Sequence, residues 1–230
     1  MRRTGQTLIF DADDTLWENN VFFERVIDDF LDWATHPTLD RVQIRGILND
    51  IERANAVSLG YGSAVFLRNL HETFEKLQER PASLVERKRI DQLAGRLIRG
   101  EVDLIPGVSD TLAELGARHE LFLLTKGDVE EQQRKIDASG LAGWFRQAHI
   151  VREKDVDVYR RLALDSGLAV DRTWMIGNSP KSDIWPARQA GMGAVFIPHE
   201  HTWVLEHHDL DPADDGVLTL KAFTELVDHF

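Results

Sequence analysis

The chain contains no cysteine, which excludes thiol nucleophiles, thiolate-bound metals and disulfides in one step. No apolar run approaches the roughly 20 residues that span a bilayer. The opening MRRTGQTLIF is basic, but its apolar stretch is too short for a secretory signal. Positive charge is scarce as well: 27 Lys and Arg stand against 39 Asp and Glu, a net charge of -12. Such a chain repels phosphate backbones and anionic membranes at long range, so nucleic acid and membrane partners are not expected. Internal repeats and low-complexity tracts are missing too. The simplest expectation is a soluble cytoplasmic protein, monomeric or a homodimer. An anionic small substrate would need local compensation from a metal or a few placed cations.

What is there suits a folded enzyme. Hydrophobic residues make up 43% of 230 positions, enough for one large core or a core with a second module. Residues 6 to 11 read as a strand. The pattern then turns helical. VFFERVIDDFLDWA puts Phe23, Ile27, Phe30, Leu31 and Ala34 on one face, and residues 39 to 58 continue with Val42, Ile44, Ile47, Leu48 and Ile51. A break at Gly60, Tyr61 and Gly62 leads to a third helix carrying Leu67, Leu70, Phe74 and Leu77. Ser83 starts a fourth, with Gly100 as its expected C-cap. Four amphipathic helices in succession suggest a small bundle.

From LIPGV at 104 the rhythm changes to strands alternating with helices. Helix 108–117, strand ELFLLT, helix 128–138, strand AHIV, helix 155–166, strand TWMIG, helix 181–190 and strand GAVFIP follow one another before a short final strand and helix. This alternation predicts an α/β fold with a doubly wound parallel sheet. The isolated first strand joins that sheet, so the helical block is an insertion. The expected division is a core of residues 1–16 and 104–230 and a helical domain of residues 17–103.

In open parallel sheets, ligands sit beyond the carboxyl ends of the strands. The polar residues there are Asp11 and Asp13, then Thr125 and Lys126, then Arg152, Glu153 and Lys154, then Gly177, Asn178, Ser179 and Asp183. Two carboxylates about 4 Å apart repel by roughly 4 kcal/mol at an effective dielectric near 20, so the LIFDADDTLW cluster calls for a cation or a chemical task. A nucleophilic carboxylate, a second acid, a hydroxyl, a cation and a further carboxylate form an inventory for phosphoryl transfer with Mg²⁺. On residue type alone, Lys126, Arg152 and Lys154 are all able to reach a phosphate.

With these elements in this order, the chain resembles the haloacid dehalogenase-like hydrolases over nearly its whole length. FDADDT looks like that family's Asp-x-Asp-x-Thr signature, LLTKG like its second motif, REKD supplies the Lys of the third, and IGNSPKSD resembles the fourth. The resemblance implies a Rossmann-like core with an α-helical cap that closes over a small phosphorylated metabolite. It implies Asp11 as nucleophile and metal ligand, and Asp13 as acid and base whose backbone carbonyl also binds Mg²⁺. Thr125 would hold a phosphoryl oxygen, Lys154 would offset its charge, and Asp183 would complete the metal site. Lys154 is preferred among the cations because it opens the following helix, although Asp155 stands where the family often has Pro.

Asn178 departs from the family, which usually has Asp; an amide oxygen can still ligate Mg²⁺ but brings no charge. Asp14, where the family often has Gly, reads as a solvated turn residue. Tyr61, in the Gly60–Gly62 turn, is a candidate substrate contact, or a plain helix break. The histidines at 199, 201, 207 and 208 lack the helical spacing of a zinc site. The expected activity is a Mg²⁺-dependent phosphatase using an aspartyl-phosphate. The alternatives are a phosphomutase, a 2-haloacid dehalogenase, whose pattern lacks the second acid, and a non-catalytic phosphoaspartate or metal-binding module.

Overall fold

The computed structural model describes residues 2–95, 97 and 102–230. The chain divides into two compact units, Met1–Asn20 with Val102–Phe230, and Val21–Glu101.

The first unit is built on a sheet of six parallel strands. β1 is Thr7–Phe10, β4 Glu120–Lys126, β5 Gln147–Val151, β6 Thr173–Gly177, β7 Gly193–Phe196 and β8 Val217–Thr219. Their order is β5-β4-β1-β6-β7-β8. Such a sheet must be covered on both faces, and the sequence provides for it by alternation. Leu8 and Phe10 join a cluster with Leu112, Leu115, Leu123, Ile176 and Phe223. Ile9, one residue out of phase, packs instead with Phe122, Leu124, Tyr159, Met175 and Met192. The doubly wound α/β sheet is therefore the observed fold. β1 has β4 on one side and β6 on the other, and the chain winds outward in both directions from there. The carboxyl ends of these three strands form the switch point where such sheets hold their ligands.

A two-stranded antiparallel ribbon, β2 at Trp17–Glu18 with β3 at Asp103–Leu104, also belongs to this unit. Leu16 and Trp17 are buried in the sheet's core cluster. The division thus falls after Asn20 and before Val102, a few residues inside the limits of 17 and 103 read from the sequence. Helices α5 (Val108–Gly116), α6 (Val129–Ser139) and α7 (Val156–Ser166) connect the strands. The Asp128 and Asp155 carboxylates cap the N-termini of α6 and α7 by accepting the Glu131 and Val158 N–H groups. Asp155 thus supplies a cap where the family's Pro would supply a preset φ. The segment read as one helix over 181–190 is a π turn at Pro180–Ile184 followed by a short α8, Trp185–Gln189. A last helix, α9, is Leu226–His229.

The second unit holds α1 (Asn20–Trp33) from its second residue on, α2 (Arg41–Leu59), α3 (Ser63–Gln78) and α4 (Leu84–Ala94). Asp40 with Gln43 and Ser83 with Glu86 form reciprocal capping boxes at the starts of α2 and α4. Its core gathers Ile27, Phe30, Leu48, Leu70, Phe74 and Ile90, with Trp33 stacked on Phe74 at 4.8 Å. Val42 does not join this face; it is 79% exposed. It lies two positions, or about 200° of helix rotation, from the inward Ile44. The expected C-cap at Gly100 lies outside the described residues. No described helix is long and apolar enough to cross a membrane.

Candidate active site

The carboxyl end of β1 delivers Asp11 into a nearly dry position, 7% exposed. Its backbone N–H continues the sheet by bonding to the Ile176 carbonyl at 2.9 Å. One carboxylate oxygen accepts from Lys154 Nζ at 2.5 Å and the other from Thr15 Oγ1 at 3.2 Å. Burial and the neighbouring Asp183 push the Asp11 carboxyl up to about 7, against the opposing pull of Lys154. The same ammonium is 2.7 Å from Asp183 Oδ1. Lys154 thus lies between the two buried carboxylates.

Lys126 is turned elsewhere. Its ammonium donates to Glu206 at 2.6 Å, Ser182 at 2.9 Å and Glu153 at 3.3 Å. Glu206 in turn accepts from the Ser179 and Ser182 hydroxyls at 2.6 and 2.5 Å. Burial pushes the Glu206 carboxyl up, but Lys126 and the two hydroxyls more than reverse this and hold it at about 2. This network braces the turn that carries Asp183.

That turn is itself specialised. Asp183 follows Asn178 by five positions, and the turn closes with wide bonds, Ile184 N–H to the Ser179 carbonyl at 3.2 Å among them. A π turn accommodates one residue more than an α turn. Asp183 is fully buried, and its second oxygen accepts the Ser179 N–H at 2.9 Å. Asn178 aims its amide oxygen at Thr15 (3.4 Å) and its amide nitrogen at Thr202 Oγ1 (3.3 Å). The oxygen therefore faces the Asp11 side.

Asp13 has a different set of partners. Its carboxylate accepts from Trp17 Nε1 at 2.7 Å, Gln132 Nε2 at 2.9 Å and Lys135 Nζ, which is 3.1 Å from both oxygens. Gln132 also accepts from the buried Thr125 hydroxyl at 3.3 Å, joining the end of β4 to Asp13. Sequence reasoning missed Trp17, Gln132, Lys135, Ser182 and Glu206 as site residues. The available signal was faint: Gln132 and Lys135 share the face of α6 that also buries Ile136, so two polar residues occupy core-facing positions.

Asp14 corrects an expectation. It is buried rather than solvated, adopts φ 61°, and accepts the Asn19 and Asn20 N–H groups at 2.8 and 2.9 Å. Left-handed backbone is open to Asp and Asn as well as Gly, which explains how Asp replaces the family's Gly. Burial raises the Asp14 carboxyl to about 6 despite these N–H donors. Among the histidines, His199 lies near Asp14 and Glu18. Its Nδ1 accepts the His201 N–H at 3.3 Å, leaving Nε2 to donate to Glu18 at 3.1 Å. Tyr61 belongs to the second unit, at the turn between α2 and α3, while all the other site candidates belong to the first.

With both carboxylates ionised, Asp11, Asp183 and Lys154 together carry one uncompensated negative charge in a site with almost no solvent. With the Asn178 amide oxygen beside them, this oxygen-rich, undercompensated set suits a hard divalent cation.

The sequence profile of the haloacid dehalogenase-like hydrolases matches residues 6–191. A haloacid dehalogenase-like family hydrolase from Xanthomonas campestris superposes with a TM-score of 0.83 at 26% identity, over 97% of this chain and 93% of that one. L-2-haloacid dehalogenase from Xanthobacter autotrophicus shares the fold, with a TM-score of 0.65 at 14% identity over 96% of each chain. Phosphoserine phosphatase of Thermus thermophilus is 31% identical over 105 residues, 43% of this chain and 42% of that protein, so the match spans less than half of that relative. Profile, fold and the β1, β4 and β6 strand-end residues agree: the chain belongs to the haloacid dehalogenase-like hydrolases.

Proposed function

We propose that this hydrolase is a Mg²⁺-dependent phosphatase acting on a small phosphate monoester through an aspartyl-phosphate at Asp11. The observation that carries the reading is a pair of carboxylates two residues apart in separate environments. Asp11 is buried against Lys154 and Thr15, whereas Asp13 is held by Trp17, Gln132 and Lys135. Displacing an alkoxide from phosphorus needs both a nucleophile and a proton donor. Displacing a halide from carbon needs only the nucleophile, because the halide leaves without a proton. Asp13 has no leaving group to protonate in the second chemistry.

In the first step an Asp11 oxygen bonds to phosphorus while the bond to the leaving oxygen breaks, and Asp13 gives that oxygen its proton. In the second, Asp13 takes a proton from water as the water oxygen bonds to phosphorus. The Asp11–phosphorus bond breaks, inorganic phosphate departs, and both carboxyl groups return to their starting forms. Thr125 and Lys154 hold the phosphoryl oxygens. Asp11, the Asp13 carbonyl, Asp183 and the Asn178 amide oxygen would hold Mg²⁺, which supplies positive charge against the transferring phosphoryl group.

The net charge of -12 favours small esters over polynucleotides as substrates. Release of phosphate from 4-nitrophenyl phosphate, with Mg²⁺ and with EDTA, tests the chemistry. Turnover that requires Mg²⁺ is expected. Metal-independent chloride release from 2-chloropropionate would replace the reading with a dehalogenase. One phosphate bound per chain without turnover would replace it with a phosphoaspartate module, and isomerisation of a sugar phosphate without free phosphate with a mutase. A panel of nucleoside monophosphates, sugar phosphates, phosphoglycolate and a phosphopeptide tests substrate size.

A further inference from the structure

Helix α6 buries the wrong residues for a helix that only packs. Four of its residues are buried: Glu131, Gln132, Lys135 and Ile136. An amphipathic helix normally turns its apolar face inward, and lysine is almost never fully buried without a partner. Lys135 is 8% exposed and Gln132 is 4% exposed. Removing an ammonium from water costs several kcal/mol unless opposite charge and hydrogen bonds offset it. The partners that offset it are specific. Lys135 Nζ is 3.1 Å from each Asp13 oxygen and 2.8 Å from Asn19 Oδ1, with Glu131 at 3.8 Å. Gln132, three residues earlier on the same face, spans from the Thr125 hydroxyl to Asp13 Oδ2.

These contacts fill every acceptor position on Asp13. A carboxylate offers about four lone-pair sites. Trp17 and Lys135 occupy those of Oδ1, while Gln132 and Lys135 occupy those of Oδ2. The indole and amide donors are held rigidly by their own planes. The lysine bond is shared between both oxygens and comes from a compact head on a flexible stem. Moving that ammonium onto one oxygen frees a lone pair on the other, and that lone pair can hold the proton that Asp13 hands to the leaving oxygen.

We propose that Lys135, together with Gln132, is the positioning residue of Asp13, fixing the carboxylate's orientation and yielding one oxygen to the leaving group. This inference rests on the phosphatase reading, because it assigns Lys135 a role in the proton-transfer half of that reaction. Lys135 touches neither Asp11 nor Asp183 among the contacts described, so its effect reaches phosphorus only through Asp13. It is therefore distinct from Lys154, which lies between those two carboxylates.

The test is the dependence of kcat/KM on the leaving group in Lys135→Met and, in parallel, Gln132→Met, each with its melting temperature and circular dichroism measured. Phenyl, 4-nitrophenyl and 2,4-dinitrophenyl phosphates form the series, and kcat/KM reports only steps through formation of the phosphoenzyme. A misplaced acid matters most for the ester that most needs a proton. Lys135→Met is expected to lose about 10²-fold on phenyl phosphate and under about threefold on the dinitrophenyl ester. Gln132→Met should show the same trend with a smaller slope. Equal losses across the series in both variants, or no loss in either, overturn the positioning role while leaving the phosphatase reading intact. No phosphate release from any ester by the unmodified protein overturns both.

Discussion

A Cβ atom on Gly177 would stand 2.2 Å from Asp183 Oδ2. The last residue of β6 is therefore glycine because the buried carboxylate lies against its backbone. Neither side can give way easily, since β6 pairs with β1 and β7 on its two edges and Asp183 is held by Lys154 and the Ser179 N–H.

Gly177→Ala is expected to displace Asp183 and to lower kcat by about 10²-fold, the loss typical of a misplacement near 1 Å at a reacting centre. Overpacking should also lower stability by about 1–3 kcal/mol. Steady-state kinetics and urea unfolding read the two effects separately. Full activity in the variant would show that Asp183 does not need this position.

Asp11→Asn should abolish turnover and leave no phosphoenzyme, because an amide oxygen is a poor nucleophile and Asp11 is the carboxylate paired with Lys154. Intact-mass measurement after mixing with acetyl phosphate detects the adduct. A phosphate still attached to the variant would move the nucleophile elsewhere.

The strand-end positions of Asp11, Thr125 and Asn178 were legible in the sequence because each lies just past a short apolar run. LIF, LFLL and WMI announce buried parallel strands, and the polar residue after each is placed by the topology alone. The partners of Asp13 were hidden for the opposite reason. VEEQQRKIDAS reads as a solvated polar helix, and the lone Ile136 is too faint a signal to show that its neighbours on that face, Gln132 and Lys135, point inward. Glu206 was hidden by distance, since it returns to the Ser179–Asp183 turn only through the loop after β7. Asp14 was misread because a charged residue in a turn is usually solvated, whereas here Asn19 and Asn20 backbone donors compensate its burial.

Glu206 gives a stability prediction with a definite pH window. The folded state lowers its carboxyl from 4.5 to about 2, so it releases the proton more readily than the unfolded chain does. The resulting stabilisation, of order 3 kcal/mol, is fully present above about pH 4.5 and is lost as pH falls toward 2. Glu206→Gln should therefore be clearly less stable than the unmodified protein at pH 7, and the gap should narrow below pH 4.5. Urea unfolding across pH 3–7 measures it. A gap that stays constant with pH would show that the Lys126–Glu206 pair is not its source.

Asp11 predicts the opposite slope. Its carboxyl is raised from 3.8 to about 7, so the folded metal-free protein holds this proton more tightly than the unfolded chain. That contribution is fully present below about pH 4 and is lost as pH rises through 7. A bound cation must displace the same proton, so Mg²⁺ affinity should weaken by about tenfold for each pH unit below 7 and level off above it. Calorimetric titration at several pH values, with proton release measured in two buffers, gives both quantities. A Mg²⁺ affinity independent of pH between 5 and 7 would remove Asp11 from the metal site.

Asn178 carries the last prediction. Its amide oxygen faces Thr15, which also donates to Asp11, and its nitrogen donates to Thr202. With Asp11 and Asp183 as the anionic ligands of the proposed site, the family's third carboxylate is missing. Hard cations gain affinity from ligand charge, so Mg²⁺ should bind the free protein weakly and gain from the charge of an arriving phosphate. Metal and substrate should then bind with positive coupling, each raising the other's affinity by the same factor. Asn178→Asp is expected to tighten Mg²⁺ in the free protein. The structure adds a local consequence, because Thr202 Oγ1 now accepts from the amide and donates to the His199 carbonyl at 3.0 Å. A carboxylate at this position offers no proton, so the hydroxyl must turn toward it and release that carbonyl, which keeps its bond to the Thr202 N–H at 3.1 Å. The gain in Mg²⁺ affinity should shrink in the substrate complex, because the added charge repels the phosphate beside it. Mg²⁺ titration with and without a non-hydrolysable phosphate analogue reads the free affinity and the coupling together. An unchanged Mg²⁺ affinity in the free variant would place residue 178 away from the metal, and leave Asp11 and Asp183 as the only side chains of the proposed set to hold it.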